Sequence, residues 1–152
     1  MIKIGQPSAS NHLAEMRGIL EPEIAALAAT RIQEPHLVLM REAVALMDRA
    51  QEDPEAYIEA DLDFHLALAE AADNPLILSL LDSIVALLRE QRIRIFQVEG
   101  GPSRGQYHHK RILQAVQQHN PEQARAAMRA HLQQVREDSR ASEAHPALSR
   151  AF

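Results

Sequence analysis

The sequence predicts an all-α fold, an antiparallel bundle of six or seven helices. Three observations carry this expectation. Ala and Leu dominate the chain while Gly is scarce and β-branched runs are short, which favours helix over sheet. Apolar residues recur at three- and four-residue spacing through most of its length. Proline stands where helices would begin: Pro35, Pro54, Pro75 and Pro121 each precede a long periodic run, and proline suits the first helical turn.

The helices are expected at about residues 11–33, 36–52, 54–72, 75–98, 104–118 and 121–140. Pro22 lies inside the first and either kinks it or splits it after Glu21. Asp53, Asn74 and Asn120 directly precede Pro54, Pro75 and Pro121 and read as N-caps. Glu99-Gly100-Gly101-Pro102-Ser103 is the clearest loop. Short connections between long helices imply antiparallel neighbours. Residues 1–10 read as an N-terminal extension, residues 11–140 as one helical domain, and residues 141–152 as a tail expected to fray.

Composition bounds the function. A chain of 152 residues can bury a core of its own as one domain. Aromatic residues are only 3%, so Leu, Ile, Val, Ala and Met must fill that core. A net charge of −5 lacks the electrostatic footprint of a nucleic-acid binder. The absence of Cys excludes disulfides and thiolate metal sites and fits a reducing cytoplasm. No apolar run approaches ~18 residues, so no membrane span is expected. No secretory hydrophobic region opens the sequence, and a cytoplasmic location is expected.

Four polar residues fall on apolar helical stripes. Asp61 and His65 lie one turn apart on the stripe of Tyr57, Phe64 and Leu68, while Glu59, Asp63 and Glu70 lie on the far side. His109 shares a face with Ile112, Leu113 and Val116; His131 shares one with Ala124, Met128 and Val135. The other five histidines fall elsewhere: His12, His36, His119 and His145 near helix ends or in the tail, and His108 beside the stripe. An Asp-x3-His pair on one helix presents two ligands to one ion. His109 and His131, on consecutive helices joined by a turn at Asn120-Pro121, can be brought to the same level. Isolated core histidines bonded to their neighbours are the alternative. Imidazole with one carboxylate suits zinc first, with nickel, manganese or iron as alternatives.

With these residues in place, the chain resembles the C-terminal effector-binding domain of the FadR subfamily of GntR transcription regulators, the FCD domain. The matching stretches are Arg17-Gly-Ile-Leu-Glu21 with Ile24-Ala-Ala-Leu-Ala-Ala29, then Asp61-Leu-Asp-Phe-His65, Asn74-Pro-Leu, His109-Lys-Arg-Ile-Leu-Gln-Ala115, and Ala124-Arg-Ala-Ala-Met128 leading to His131-Leu132. The resemblance implies a divalent metal held by Asp61, His65, His109 and His131, as in the family's metal-binding branch. It also implies a small organic-acid effector that approaches the metal, and a homodimer. Arg17, by family position, is the first candidate to hold the anion; an exposed salt bridge to Glu21 is its alternative role. Arg92, on a face with Leu81, Leu88 and Ile95, is the second.

The family's winged helix-turn-helix domain is expected to be absent from this chain, which then binds no DNA specifically by itself. Two rival readings use the same residues. One is a metal-dependent hydrolase or isomerase of small organic acids, in which the metal activates water. It lacks an obvious inward general base, since Asp63 and Glu70 point away and His108 is the only near candidate. The other is a helical scaffold with a closed structural zinc. No catalytic residue is assigned.

Overall fold

The computed structural model describes residues 7–144, with side chains described from residue 10 onward. Seven helices follow in order: α1 (Pro7–Arg31), α2 (Glu34–Arg49), α3 (Pro54–Ala71), α4 (Pro75–Asp82), α5 (Val85–Phe96), α6 (Gly101–Gln117) and α7 (Pro121–Ala144). No strand occurs among the described residues. The expected caps are in place. Asp53 Oδ1 accepts from Ala56 N at 3.2 Å, Asn74 Oδ1 from Leu76 N at 3.1 Å, and Asn120 Oδ1 from Gln123 N at 3.0 Å. Each satisfies one of the orphan amides of a first helical turn.

Helix α1 begins at Pro7, inside the expected extension, and four other boundaries differ from expectation for local reasons. Helix α1 stays continuous through Pro22. The hydrogen bond that proline cannot make would have gone to the carbonyl of Gly18, on an exposed part of the helix where water can reach it. The helix expected over 75–98 is two helices, α4 and α5. Ser83 at the break donates its hydroxyl to Leu80 O at 2.6 Å, a local bond that competes with helix propagation. Helix α6 starts inside the expected loop. Gly100 adopts φ 74°, the left-handed conformation glycine tolerates, and Pro102 takes the first turn. Helix α7 reaches Ala144, so the first four residues of the expected tail are helical. Residues 1–6 and 145–152, including His145, lie outside the described residues.

The two long helices α1 and α7 pack together, α2 packs on α3, and α6 packs on both α7 and α2. Helix α3 is the central element, touching α1, α2, α4 and α5. It joins two apolar clusters. Tyr57, Ala60, Phe64, Ala67 and Ala71 pack with Leu37, Met40, Ala43 and Met47 of α2. Ile58, Leu62, Ala69 and Ala72 pack with Leu13 and Ile24 of α1, Leu81 of α4 and Leu88 of α5. Around the helix axis, Asp61 and His65 fall on the seam between those clusters. The seam is where the polar residues collect.

Candidate metal centre

Five helices contribute to a buried polar cluster: Arg17 and Glu21 from α1, Asp61 and His65 from α3, Gln91 and Arg92 from α5, Gln106 and His109 from α6, and His131 from α7. None of these side chains is more than a few per cent exposed. Charges are rarely buried unless paired, and here they are paired with one another. Arg92 Nε contacts Asp61 Oδ2, and Arg17 Nε contacts Glu21 Oε2. Gln91 links the two guanidinium groups, since its Oε1 accepts from Arg17 Nη1 at 3.2 Å and from Arg92 Nη1 at 3.3 Å.

Three of the expected ligands, the imidazoles, converge, and Asp61 adjoins two of them. Asp61 Oδ1 lies 3.2 Å from His65 Nε2 and 3.1 Å from His109 Nε2. The donor atoms of His65, His109 and His131 all lie within 4.8 Å of one another. The His131 ring stacks on that of His65 at 5.4 Å and meets that of His109 at 4.7 Å.

Hydrogen bonding on the outer side of the His109 ring fixes which nitrogen faces inward. Gln106 Nε2 donates to Val44 O at 2.7 Å and to Asp48 Oδ1 at 3.0 Å. Its Oε1 is therefore an acceptor, and His109 Nδ1, 3.1 Å away, carries the proton. His109 Nε2 then presents a lone pair to Asp61. At His65 the contacts differ: Nε2 lies 3.5 Å from Arg92 Nη2, which can only donate, and 3.2 Å from Asp61 Oδ1, which can only accept.

Several polar atoms of the centre are thus left facing one another without a partner. Asp61 Oδ1, His109 Nε2 and both nitrogens of His131 are buried with no hydrogen-bond partner. Buried polar atoms left this way cost about 1–3 kcal/mol each. A divalent cation removes that cost at Asp61 Oδ1, His109 Nε2 and one nitrogen of His131, whose other nitrogen keeps its N–H. Bonds of about 2.0–2.1 Å at near-tetrahedral angles place adjacent donors about 3.3 Å apart, close to the separations seen between Asp61 and the two imidazoles. The three imidazoles could therefore hold a transition metal, and Asp61 Oδ1 adjoins two of them.

Protonation states agree with this assignment. Burial pushes the Asp61 carboxyl up, but Arg92 and then His109 outweigh it and hold it well below the usual carboxylate range. Burial pulls His109 below its ordinary value, against the opposing pull of Asp61. His131 is pulled well below by burial, then by His109, His65 and Arg92. Neutral imidazole and ionised carboxylate are the ligand forms.

A cavity of about 20 Å³ adjoins Asp61, Arg92, His109 and His131, and Gly105 and Gln134 line its far side. That volume holds about one water. A Cβ on Gly105 would sit 3.3 Å from Tyr57 Oη and 3.8 Å from His109 Cε1, so the absent side chain keeps this space open. A larger groove of about 250 Å³ runs between α1 and α7, lined by Arg17, Gln91, Arg129, Leu132 and Arg136 among others.

The expected effector residues separate. Arg92 borders the cavity beside the metal ligands, whereas Arg17 lies one shell behind, held by Glu21 and Gln91. The Arg17–Glu21 pair exists, but it is buried rather than exposed. Glu21, Gln91 and Gln106 were missed by sequence reasoning. Glu21 had a readable signal, since Leu13, Arg17, Glu21, Ile24 and Ala28 follow one three-to-four stripe and all are buried. Its burial also answers the search for an inward carboxylate. Glu21 sits behind His65, its Oε1 3.3 Å from Nδ1, and Arg17 and His65 hold it ionised against the opposing effect of burial. It does not line the cavity. His108 is half-buried, with its ring 6.0 Å from that of His131.

Comparison with known proteins places the chain. The FCD domain family matches residues 12–134. The HTH-type transcriptional regulator LutR of Bacillus subtilis (strain 168) is 38% identical over 128 residues, covering 81% of this chain and 58% of LutR. The HTH-type transcriptional repressor NanR of Escherichia coli (strain K12) is 26% identical over 136 residues, covering 87% of this chain and 51% of NanR. Among solved structures, Streptococcus agalactiae GntR superposes with a TM-score of 0.71 at 31% identity, over 83% of this chain and 57% of that one. The chain thus spans little more than half the length of each of these three relatives.

Proposed function

The chain belongs to the FCD domain family, and from that premise we propose that it is the ligand-sensing and dimerising domain of a GntR-type transcription regulator. Its relatives are named transcriptional regulators, which favours a regulator over an enzyme. In this reading Asp61, His65, His109 and His131 hold one divalent transition metal, zinc first, with nickel, manganese or iron as alternatives. The observation that carries it is the convergence of three buried imidazoles beside the Asp61 carboxylate, with Asp61 Oδ1 and His109 Nε2 left unpartnered.

When bound, such an ion supplies positive charge and open coordination that can take a carboxylate or hydroxyl oxygen. Electrostatics then names the ligand class. Within the cluster Arg17 and Arg92 offset Glu21 and Asp61, so a divalent ion there adds two positive charges without counter-charge in the cluster. A small organic acid fits that excess. Arg92, beside the cavity and on Asp61, is positioned to meet its carboxylate, and Arg17 supports Arg92 through Gln91. The cavity holds about one water as it stands, so entry of an acid must displace neighbouring side chains or helices. That requirement is the link to regulation: a ligand shifts a conformational equilibrium only through its differential affinity for the two states.

An enzyme reading gains nothing from the site. Of the buried carboxylates outside the ligand set, Glu21 is held by Arg17 and Asp138 by Arg104 and Gln134, and neither lines the cavity. The chain is acidic at −5, which disfavours direct DNA binding by these helices. DNA recognition is assigned to a winged helix-turn-helix domain outside residues 11–140. A cytoplasmic homodimer follows from the regulator reading; among the described residues no helix is long and apolar enough to cross a membrane. Calorimetry of metal-loaded protein with a panel of hydroxy- and sugar acids tests the proposal. Saturable binding of one acid without its consumption is expected. Turnover of the acid that disappears in His131→Ala would overturn it.

A further inference from the structure

We infer that Glu21 is the positioning residue of the metal site, holding His65 with its proton on Nδ1 and its Nε2 lone pair turned to the ion. The inference rests on the metal reading above. It starts from the two ring nitrogens of His65, which face different partners. Nε2 lies 3.2 Å from Asp61 Oδ1 and 3.5 Å from a guanidinium that can only donate. Nδ1 lies 3.3 Å from Glu21 Oε1, oblique to the ring's N–H direction. A carboxylate only accepts, so the Nδ1 proton and Glu21 are complementary, as Nε2 and a cation are. A metal-bound imidazole commonly donates its other N–H to a carboxylate, which fixes the tautomer and raises the basicity of the ligand nitrogen.

Glu21 is itself held for the task. Its Oε2 is taken by Arg17 Nε, while its Oε1 faces both Arg17 Nη2 at 3.3 Å and His65 Nδ1 at 3.3 Å. Arg17 in turn is anchored by Gln91. His109 has the equivalent support from Gln106, a neutral amide, and His131 has none: both of its nitrogens lack a partner. The three imidazoles are therefore unequally prepared, and Glu21 places the only charged support behind one of them. It also ties the ligand set on α3 to α1, an element that supplies no ligand.

The test uses two variants, because removing Glu21 alone strands Arg17. Glu21→Gln keeps the volume and an acceptor oxygen but removes the charge. The double variant Arg17→Met with Glu21→Met replaces the buried pair with apolar side chains of similar size, a change often neutral or stabilising. Zinc affinity is measured by competition with a chromophoric chelator, and the His65 tautomer by long-range ¹⁵N–¹H correlation of the metal-free protein. The expected result is about tenfold weaker zinc binding in Glu21→Gln and about 10–100-fold in the double variant. His65 holds its proton on Nδ1 in the wild type and shifts toward a tautomer mixture in the double variant. A role confined to stability would move the melting temperature but neither readout. If wild type binds zinc and both variants match it within twofold, or the tautomer is unchanged, the assignment of Glu21 is overturned alone. If wild type takes up no metal, the metal reading falls and this assignment with it.

Discussion

The side of α3 that meets α2 and the side that carries Asp61 and His65 are equally buried, yet different forces hold them. Toward α2, Ala60, Phe64 and Ala67 pack on Met40, Ala43 and Met47, and dispersion and the loss of wetted apolar surface stabilise the contact. On the seam, charges are held against desolvation by one another: Arg92 on Asp61, Arg17 on Glu21, and amides behind the imidazoles. The first side tolerates repacking at constant volume. The second has no such freedom, because each group is the counter-charge or partner of another. A buried polar network that leaves its innermost acceptors unpaired serves stability poorly. The difference matches the proposed division of labour, with the seam for a cation and the α2 side for the fold.

The sharpest way to break the comparison is to remove one charge from the seam. Asp61→Leu strands the Arg92 guanidinium in the core, with an expected loss of about 3–5 kcal/mol in metal-free stability and of metal uptake together. Chemical denaturation and chelator competition read the two effects. On the other side, Met40→Ala is expected to cost about 2–5 kcal/mol from lost contact and cavity formation. Metal affinity at a temperature where the variant is folded should stay within about twofold. A large affinity loss in Met40→Ala would show that the two sides are not separable. Restoring neutrality is the third test. Asp61→Leu combined with Arg92→Met is expected to match or exceed the wild type's metal-free stability, by up to about 4 kcal/mol, while binding no metal.

These contrasts also mark how far the sequence could be read. Helical phase alone separated Asp61 from Asp63, and Asp63 is indeed exposed. It separated His65, His109 and His131 from His12 and His119, which are exposed, and from His36 and His108, which are half-buried. Those choices depend only on the 3.6-residue period, which a long continuous helix preserves. Glu21 was missed because Pro22 suggested a break, and a break resets the phase on which burial is judged. Helix α1 runs through it, so Arg17 and Glu21 stay on the buried stripe. Gln91 and Gln106 carry no charge to flag them, and their partners Arg17, Val44 and Asp48 are distant in sequence. The split between α4 and α5 turns on one serine hydroxyl, a signal too local to outweigh the apolar period around it.

Acidity probes the seam more gently. His109 and His131 have pKa values lowered from the ordinary 6.5, so the unfolded chain binds more protons than the folded one once pH falls below that value. Stability of the metal-free protein is therefore present above pH 6.5 and declines as pH falls below it. Further loss follows below the ordinary carboxylate values of 3.8 for Asp61 and 4.5 for Glu21, because both are lowered in the fold. Melting temperature measured against pH should fall less steeply between pH 6.5 and 5 when His131 is replaced by Gln. The smallest expected effect sharpens the role of the cavity. Gly105→Ala is expected to weaken organic-acid binding about tenfold, roughly 1.4 kcal/mol, while leaving metal affinity unchanged. Calorimetry with each ligand separates the two.

The central claim is that Asp61 and three imidazoles form one cation site in the seam. X-ray absorption on chelator-stripped protein reloaded with one equivalent of zinc tests it most directly. The expected first shell holds three imidazole nitrogens and a carboxylate oxygen at about 2.0–2.1 Å, and one imidazole disappears in His131→Ala. A shell of oxygens alone, or no zinc retained by the wild type after desalting, would contradict it.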